Sequence, residues 1–389
     1  MKNATPIIAF ANTPWTASLW MNRQHLLSRL AARGRAVAYS NGVVHYSQLG
    51  SDRWRQQAAR HDQVLVMQPG YFMPATHRPS WLRRAALVHH CRRIRALLGV
   101  AADAPVVGLC FDPDLMDYVD ALAPVLRVFH IYDSYNKMDS RGVDFAPVRA
   151  RLRGFDLVTA SSAYMYEDVI GRAPAPDHVV PNGVDYDGLI ASLDTQCATA
   201  TAIRALPGPR IGYVGSINTK IDFALVHALA SARPDASFVF VGPVRNAILY
   251  RNPADRAAFE RLRILPNLHF FRQVPRHELA PVLGAMDMNC IFFRLDRGDW
   301  VEAVYPLKLN EYLAVGKPVL STPLRIVREQ FADVVGICAG PAEWLAAIDA
   351  AGAEPRTSAA VAARRAVAAG NDWNVCVTQF AGLIDAALR

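Results

Sequence analysis

Short apolar runs that stop at loops recur along the whole chain, each followed by helical spacing. This alternation sets the fold. The first series is Ile7–Ala11, Val64–Met67, Val106–Phe111, Val125–Ile131 and Leu157–Ala160, with helical patterns at Asn22–Arg33 and Ser162–Ile170. A second series starts near Arg210: Ile211–Val214, Phe238–Val241, Leu268–Phe271, Met288–Phe293 and Pro318–Leu320. Helices fit between these at Ile221–Ala232, His277–Ala285 and Leu307–Val315. Strands that are apolar on both faces belong in a parallel sheet covered by helices on each side. Two α/β doubly wound parallel-sheet domains, each Rossmann-like, are therefore expected.

Between the series, Pro181 to Pro209 holds PNGVDYDG, a Thr/Ala-rich stretch and LPGPR, which is linker composition with turn signals. The expected division is 1–185, a linker at 186–209, a second domain at 210–369 and a final helix at 370–389. That helix should pack back on the first domain.

Composition excludes several classes. The chain has 389 residues, 52% hydrophobic and 20% charged, enough for two cores. No apolar run approaches the about 18 residues of a membrane-spanning helix. The five apolar residues Ile7–Ala11 are too few for a signal-peptide core and read as a buried strand. Cys91, Cys110, Cys197, Cys290, Cys338 and Cys376 form no C-x-x-C pair, so reduced core thiols in a cytoplasmic protein are expected. No His/Cys/carboxylate cluster has metal-ligand spacing, and no metal or other cofactor is expected. Asp112-Pro-Asp114 reads as a strand-end turn.

In open parallel sheets ligands lie beyond the carboxyl ends of the strands, and with two such domains the cleft between them is the expected site. Gly215 and Ser216 end the run IGYV and lead into a helix, a turn where backbone N–H groups can approach a phosphate. Lys308 and Glu311, three apart in YPLKLNEYLAVGKPVLST, share one helix face. Lys308 could meet a phosphate and Glu311 a pair of ribose hydroxyls, or the two could simply pair with each other.

The stretch Pro306–Thr322 closely resembles the donor-nucleotide segment of GT-B glycosyltransferases, especially family 4 and its bacterial exopolysaccharide relatives. PNGVD (Pro181–Asp185), GYVGSI and LHFFRQVPRHELAPVLGAMDMNCIFF continue the resemblance, and WTASLWMNRQHLLSRLAARG resembles the opening of relatives in cell-surface polysaccharide synthesis. The resemblance implies transfer from a nucleotide sugar to a glycan or lipid-linked glycan acceptor, without a required metal. It implies a donor site of Gly215, Ser216, Gln273, Val274, Tyr305, Pro306, Leu307, Lys308 and Glu311. Arg294, Asp299 and Glu302 fall in a loop expected to read the sugar. Glu311 matches the second of two glutamates separated by seven residues in retaining enzymes; the first falls on Ala303, beside Glu302.

VFHIYDS places Asp133 just past a buried strand. It resembles the strand ending in the catalytic aspartate of the glucuronosyltransferase of xanthan synthesis, an inverting GT-B enzyme. Asp133 is thus the candidate base if transfer inverts, and otherwise a turn cap. His25 and His130 read as packing residues. A nucleotide-sugar 2-epimerase or a non-catalytic binding protein on the same fold are the alternative readings.

The net charge is +8, and no acidic residue lies between Asp62 and Asp103. Arg83, Arg84, Arg92, Arg93 and Arg95 there read either as a solvated helix face or as a docking face for the anionic inner-membrane surface, each worth about 1 kcal/mol. No nucleic-acid module is recognised.

Overall fold

The computed structural model describes residues 4–16, 20–43, 58–67, 80–135, 144–295, 301, 304–355 and 359–389. The chain divides into two compact units: Met1–Pro181 with Trp373–Arg389, and Asn182–Asp372.

Unit 1 holds seven strands: β1 (Ile7–Phe10), β2 (Val37–Ser40), β3 (Ala59–His61), β4 (Val64–Met67), β5 (Val107–Cys110), β6 (Leu126–Ile131) and β7 (Leu157–Ala160). Their order is β3-β4-β2-β1-β5-β6-β7. All neighbours run parallel except the β3–β4 pair. The antiparallel β3 has only three residues and a largely exposed face, which keeps that sheet edge from pairing further. Helices α1 (Asn22–Ala32), α2 (Ser80–Leu98) and α3 (Met116–Leu122) follow β1, β4 and β5. The helix Ala163–Ile170 starts where the Ser162 hydroxyl accepts from Met165 N and stops at Gly171, whose φ of 78° suits a residue without Cβ.

The final helix, Trp373–Ala387, belongs to unit 1. Trp373 stacks on His25 of α1 at 4.7 Å between ring centroids, and Asp385 pairs with Arg35. Gln379 Nε2 donates to Asp177 O and Val179 O, both at 2.8 Å.

Unit 2 holds β8 (Arg210–Val214), β9 (Ser237–Val241), β10 (Leu268–Phe271), β11 (Met288–Ile291), β12 (Val319–Ser321) and β13 (Gly336–Ile337), ordered β10-β9-β8-β11-β12-β13 and all parallel. The stretch expected as a linker is instead part of this unit. It carries the helices Tyr186–Ala191 and Ala198–Arg204, with Leu189, Ala200 and Ile203 buried. Turn residues at its two ends suggested a tether, but the apolar residues between them had a core to join.

Two neighbouring strands at the centre of unit 2, β8 and β9, each run into a positive-φ glycine. Gly215 follows β8 with φ 139° and Gly242 follows β9 with φ 146°. A Cβ on Gly242 would lie 2.1 Å from Gly215 O, a backbone atom that cannot swing aside. Gly242→Ala should therefore destabilise unit 2 by about 2–4 kcal/mol through strain and collision. Chemical denaturation measures this, and a loss under half a kcal/mol would contradict the geometry.

Candidate functional site

In unit 2 the strand order reverses at β8, whose neighbours β9 and β11 continue the chain in opposite directions. Crevices at such points accept ligands. Here β8 ends in Val214-Gly215-Ser216, and the helix Leu307–Ala314 starts after Pro306. Gly215 N donates to Val241 O at 2.9 Å, while the Ser216 N–H has no partner among the described residues.

The helix is fixed on this strand end by its own buried side chains. Tyr312 Oη donates to Val214 O at 3.1 Å and accepts from Val214 N at 2.8 Å. Asn310 Nδ2 donates to Asn182 O at 2.7 Å and to Tyr305 Oη at 3.0 Å, and Asn182 Nδ2 returns to Tyr305 O at 2.9 Å. With Leu309, Asn310, Tyr312 and Leu313 turned inward, Lys308 and Glu311 are left together on the half-buried face. Leu307, named in the expected donor site, is half-buried too.

Lys308 Nζ lies 3.6 Å from the Tyr213 ring centroid and 5.6 Å from that of Phe293, and it is where a Cβ on Gly215 would collide, at 2.5 Å. The ammonium thus sits above the glycine turn on an aromatic face. Burial pushes its pKa down from 10.5 to about 7, Glu311 opposes this, and Lys220 adds to it. Burial pushes Glu311 up to about 7 against the attraction of Arg276 and Lys308. Lys220 and Arg276 therefore face this pair, and the sequence reading passed over both. Lys220 was visible five residues after Gly215, within GYVGSINTKID. Arg276 bonds Asp185 of PNGVD at 2.8 Å, a pairing no local pattern announces.

The remaining expected residues are placed as follows. Ser216 is half-buried and its O accepts from Tyr213 Oη at 3.1 Å. Tyr305 and Pro306 are buried just before the helix. Gln273 and Val274 follow β10 and are half-buried, with Val274 packed on Val239, Val241, Val282 and Met286. Arg294, of the expected sugar-reading set, places its Nη1 3.0 Å from the buried Asp255 carboxylate, and its N donates to Lys220 O. Asp299 and Glu302 lie outside the described residues.

No protein-family model matches the chain. A candidate glycosyltransferase of teichuronic acid biosynthesis, TuaH of Bacillus subtilis, is 28% identical over 231 residues, 58% of this chain and 55% of TuaH. The chain thus spans about half the length of that relative. Among solved structures, Anabaena HepE in complex with UDP and glucose has a TM-score of 0.69 at 14% identity, covering 98% of this chain and all of HepE. Sucrose-phosphate synthase from Thermosynechococcus elongatus has a TM-score of 0.70 at 16% identity, covering 98% of this chain and 99% of that one.

The chain has the GT-B fold.

In the first unit of this GT-B chain, Asp133 follows β6, is half-buried, and accepts from Ser134 N at 3.0 Å. Asp112, after β5, does more than terminate a turn. Its Oδ2 accepts from Asn12 N and its Oδ1 from Tyr132 Oη, both at 2.8 Å. His130 is buried, its Nδ1 2.9 Å from Thr159 Oγ1. The six cysteines are buried free thiols. Among the described residues no metal-ligand cluster occurs and no helix is long and apolar enough to cross a membrane.

In the basic segment of this GT-B chain, the docking-face reading is corrected for Arg95, which is buried. Arg83 pairs with Asp117, and Arg95 is buried, donating to Ala104 O at 2.8 Å and to Ala101 O and Leu122 O. Arg95 closes the end of α2 rather than facing a surface. Arg84, Arg92 and Arg93 are exposed.

Proposed function

We propose that this chain is a glycosyltransferase that takes a nucleotide-diphosphate sugar on unit 2 and passes the sugar to an acceptor hydroxyl held on unit 1. Cell-surface polysaccharide or glycoconjugate synthesis is the context, and UDP the nucleotide, as in the HepE complexes. The observation that carries this reading is Lys308 held over the Gly215 turn at the strand crossing, where burial weakens the hydration of its ammonium and favours an anion.

In this reading the diphosphate lies against Lys308 and the Ser216 N–H, with Lys220 beside them, and Glu311 accepts from the two ribose hydroxyls. Asp133 takes the proton of the acceptor hydroxyl as its oxygen bonds the sugar's C1. The C1–O bond to the diphosphate breaks, and the electron pair leaves with the nucleotide, where Lys308 neutralises the charge that develops. No metal is needed, because cationic side chains do that work.

Glu311→Ala should weaken UDP binding by about 1.5–3 kcal/mol, the value of hydrogen bonds to a charged group, with the thermal transition retained. Calorimetry with UDP checks it, and unchanged affinity removes Glu311 from the site. A second measurement tests the reaction class. Incubation with UDP-sugar alone should give only slow hydrolysis, whereas rapid formation of an epimer would replace transfer by epimerisation.

A further inference from the structure

Unit 1 has its own strand crossing, at β1, between β2 and β5. The groups around its carboxyl edge are unusual in lacking partners. Arg23, in the first turn of α1, is 2% exposed, yet among the described residues its Nε and Nη1 have no hydrogen-bond partner. Its guanidinium lies 4.9 Å from the Tyr132 ring centroid and faces the Tyr39 hydroxyl. Asn22, 3% exposed, places Nδ2 3.4 Å from His130 Nε2 and leaves Oδ1 unpartnered. Exchanging the amide atoms would only move the vacancy to the nitrogen. Ser134 Oγ, 1% exposed, is also unpartnered. Contacts to His130, Tyr132 and Asp133 thus bring all three residues to the end of β6.

A buried guanidinium whose Nε and Nη1 donate to nothing is costly, because their desolvation is not offset by hydrogen bonds. Asp112 acts on the same Tyr39 hydroxyl, but its two oxygens already accept from Asn12 N and Tyr132 Oη. Guanidinium N–H pairs match the two oxygens of a carboxylate or phosphate. The idle hydroxyl and amide beside them suit a polyhydroxylated ligand. These atoms differ from those expected to hold the nucleotide, which all lie in unit 2.

We propose that the carboxyl end of β6 is an oxyanion-binding pocket, in which Arg23 holds a carboxylate or phosphate of a sugar acceptor next to Asp133. The pocket selects acidic or phosphorylated acceptors over neutral ones. As an acceptor site it rests on the transferase reading; as an anion site it can be measured alone.

Calorimetric titration with inorganic phosphate and with glucuronate would test this in the wild-type chain and in Lys308→Met, which removes the other anion-seeking cation. Saturable binding of at least one anion should persist in Lys308→Met and weaken about 10- to 100-fold in Arg23→Met, with UDP affinity of Arg23→Met unchanged. Response to glucuronate alone identifies a carboxylate acceptor, and response to phosphate alone a phosphorylated one. Anion binding equal in Arg23→Met and wild type, or absent from both wild type and Lys308→Met, overturns the proposal. Should Arg23→Met lose its thermal transition, Arg23→Lys keeps the charge but not the planar fork, and must bind the anion more weakly than wild type. Failure of UDP to bind wild type would sink the donor reading and leave the anion result standing.

Discussion

Asp133→Asn should reduce sugar transfer by about 10²–10⁴-fold, the usual contribution of a positioned general base, while UDP affinity is unchanged. The amide keeps the oxygen that accepts from Ser134 N, so the turn after β6 survives the change. What is lost is the capacity to take a proton. Transfer assayed with an acceptor and UDP-sugar, beside UDP calorimetry, separates the two roles. Normal turnover would exclude Asp133 as the base and favour a retaining route, which does not need one.

Lys308→Met should cost about 10²–10³-fold in transfer, comparable to removing one electrostatic contact to a developing negative charge. It should also change the pH dependence of UDP binding, and the sign follows from the pair. In the empty site burial lowers the lysine to about 7 and raises Glu311 to about 7. Above neutrality Lys308 gives up its proton and the diphosphate must bring it back, so affinity falls as pH rises. Below neutrality Glu311 takes a proton and becomes a poorer acceptor for hydroxyls, so affinity falls as pH drops. Wild-type UDP affinity should peak near pH 7, by calorimetry across the range. Lys308→Met should flatten the alkaline limb and, with the lysine's pull on Glu311 gone, move the acid limb to higher pH. An unchanged alkaline limb would show that another group sets it.

The architecture was legible because it rests on local signals. Consecutive apolar positions such as IIAF and SFVFV mark strands buried on both faces, and no distant information is needed. Two charges three apart in the apolar helix LKLNEYLA singled out its half-buried face. Charge roles set by remote partners were not legible. Arg95 sits on the same helical stripe as its exposed neighbours, and only the carbonyls of Ala104 and Leu122 show it is internal. The partner of Arg294 was not legible, because Asp255 is 39 positions away. The short helices after PNGVD were hidden by composition. Tyr186–Ala191 has six residues, too few for periodicity to speak.

The two places where the chain enters and leaves unit 2 are laced to each other. Val184 bridges Asp372 in parallel, Val184 N donates to Asn371 O at 3.0 Å, and Tyr186 N donates to the Asp372 carboxylate at 2.9 Å. To the polypeptide of unit 1, the whole insertion therefore looks like a tight stitch. Its closure entropy is set by that seam and not by the length of chain sewn in. Lineages of this protein could lengthen, shorten or exchange the inserted half without loosening the fabric that receives it.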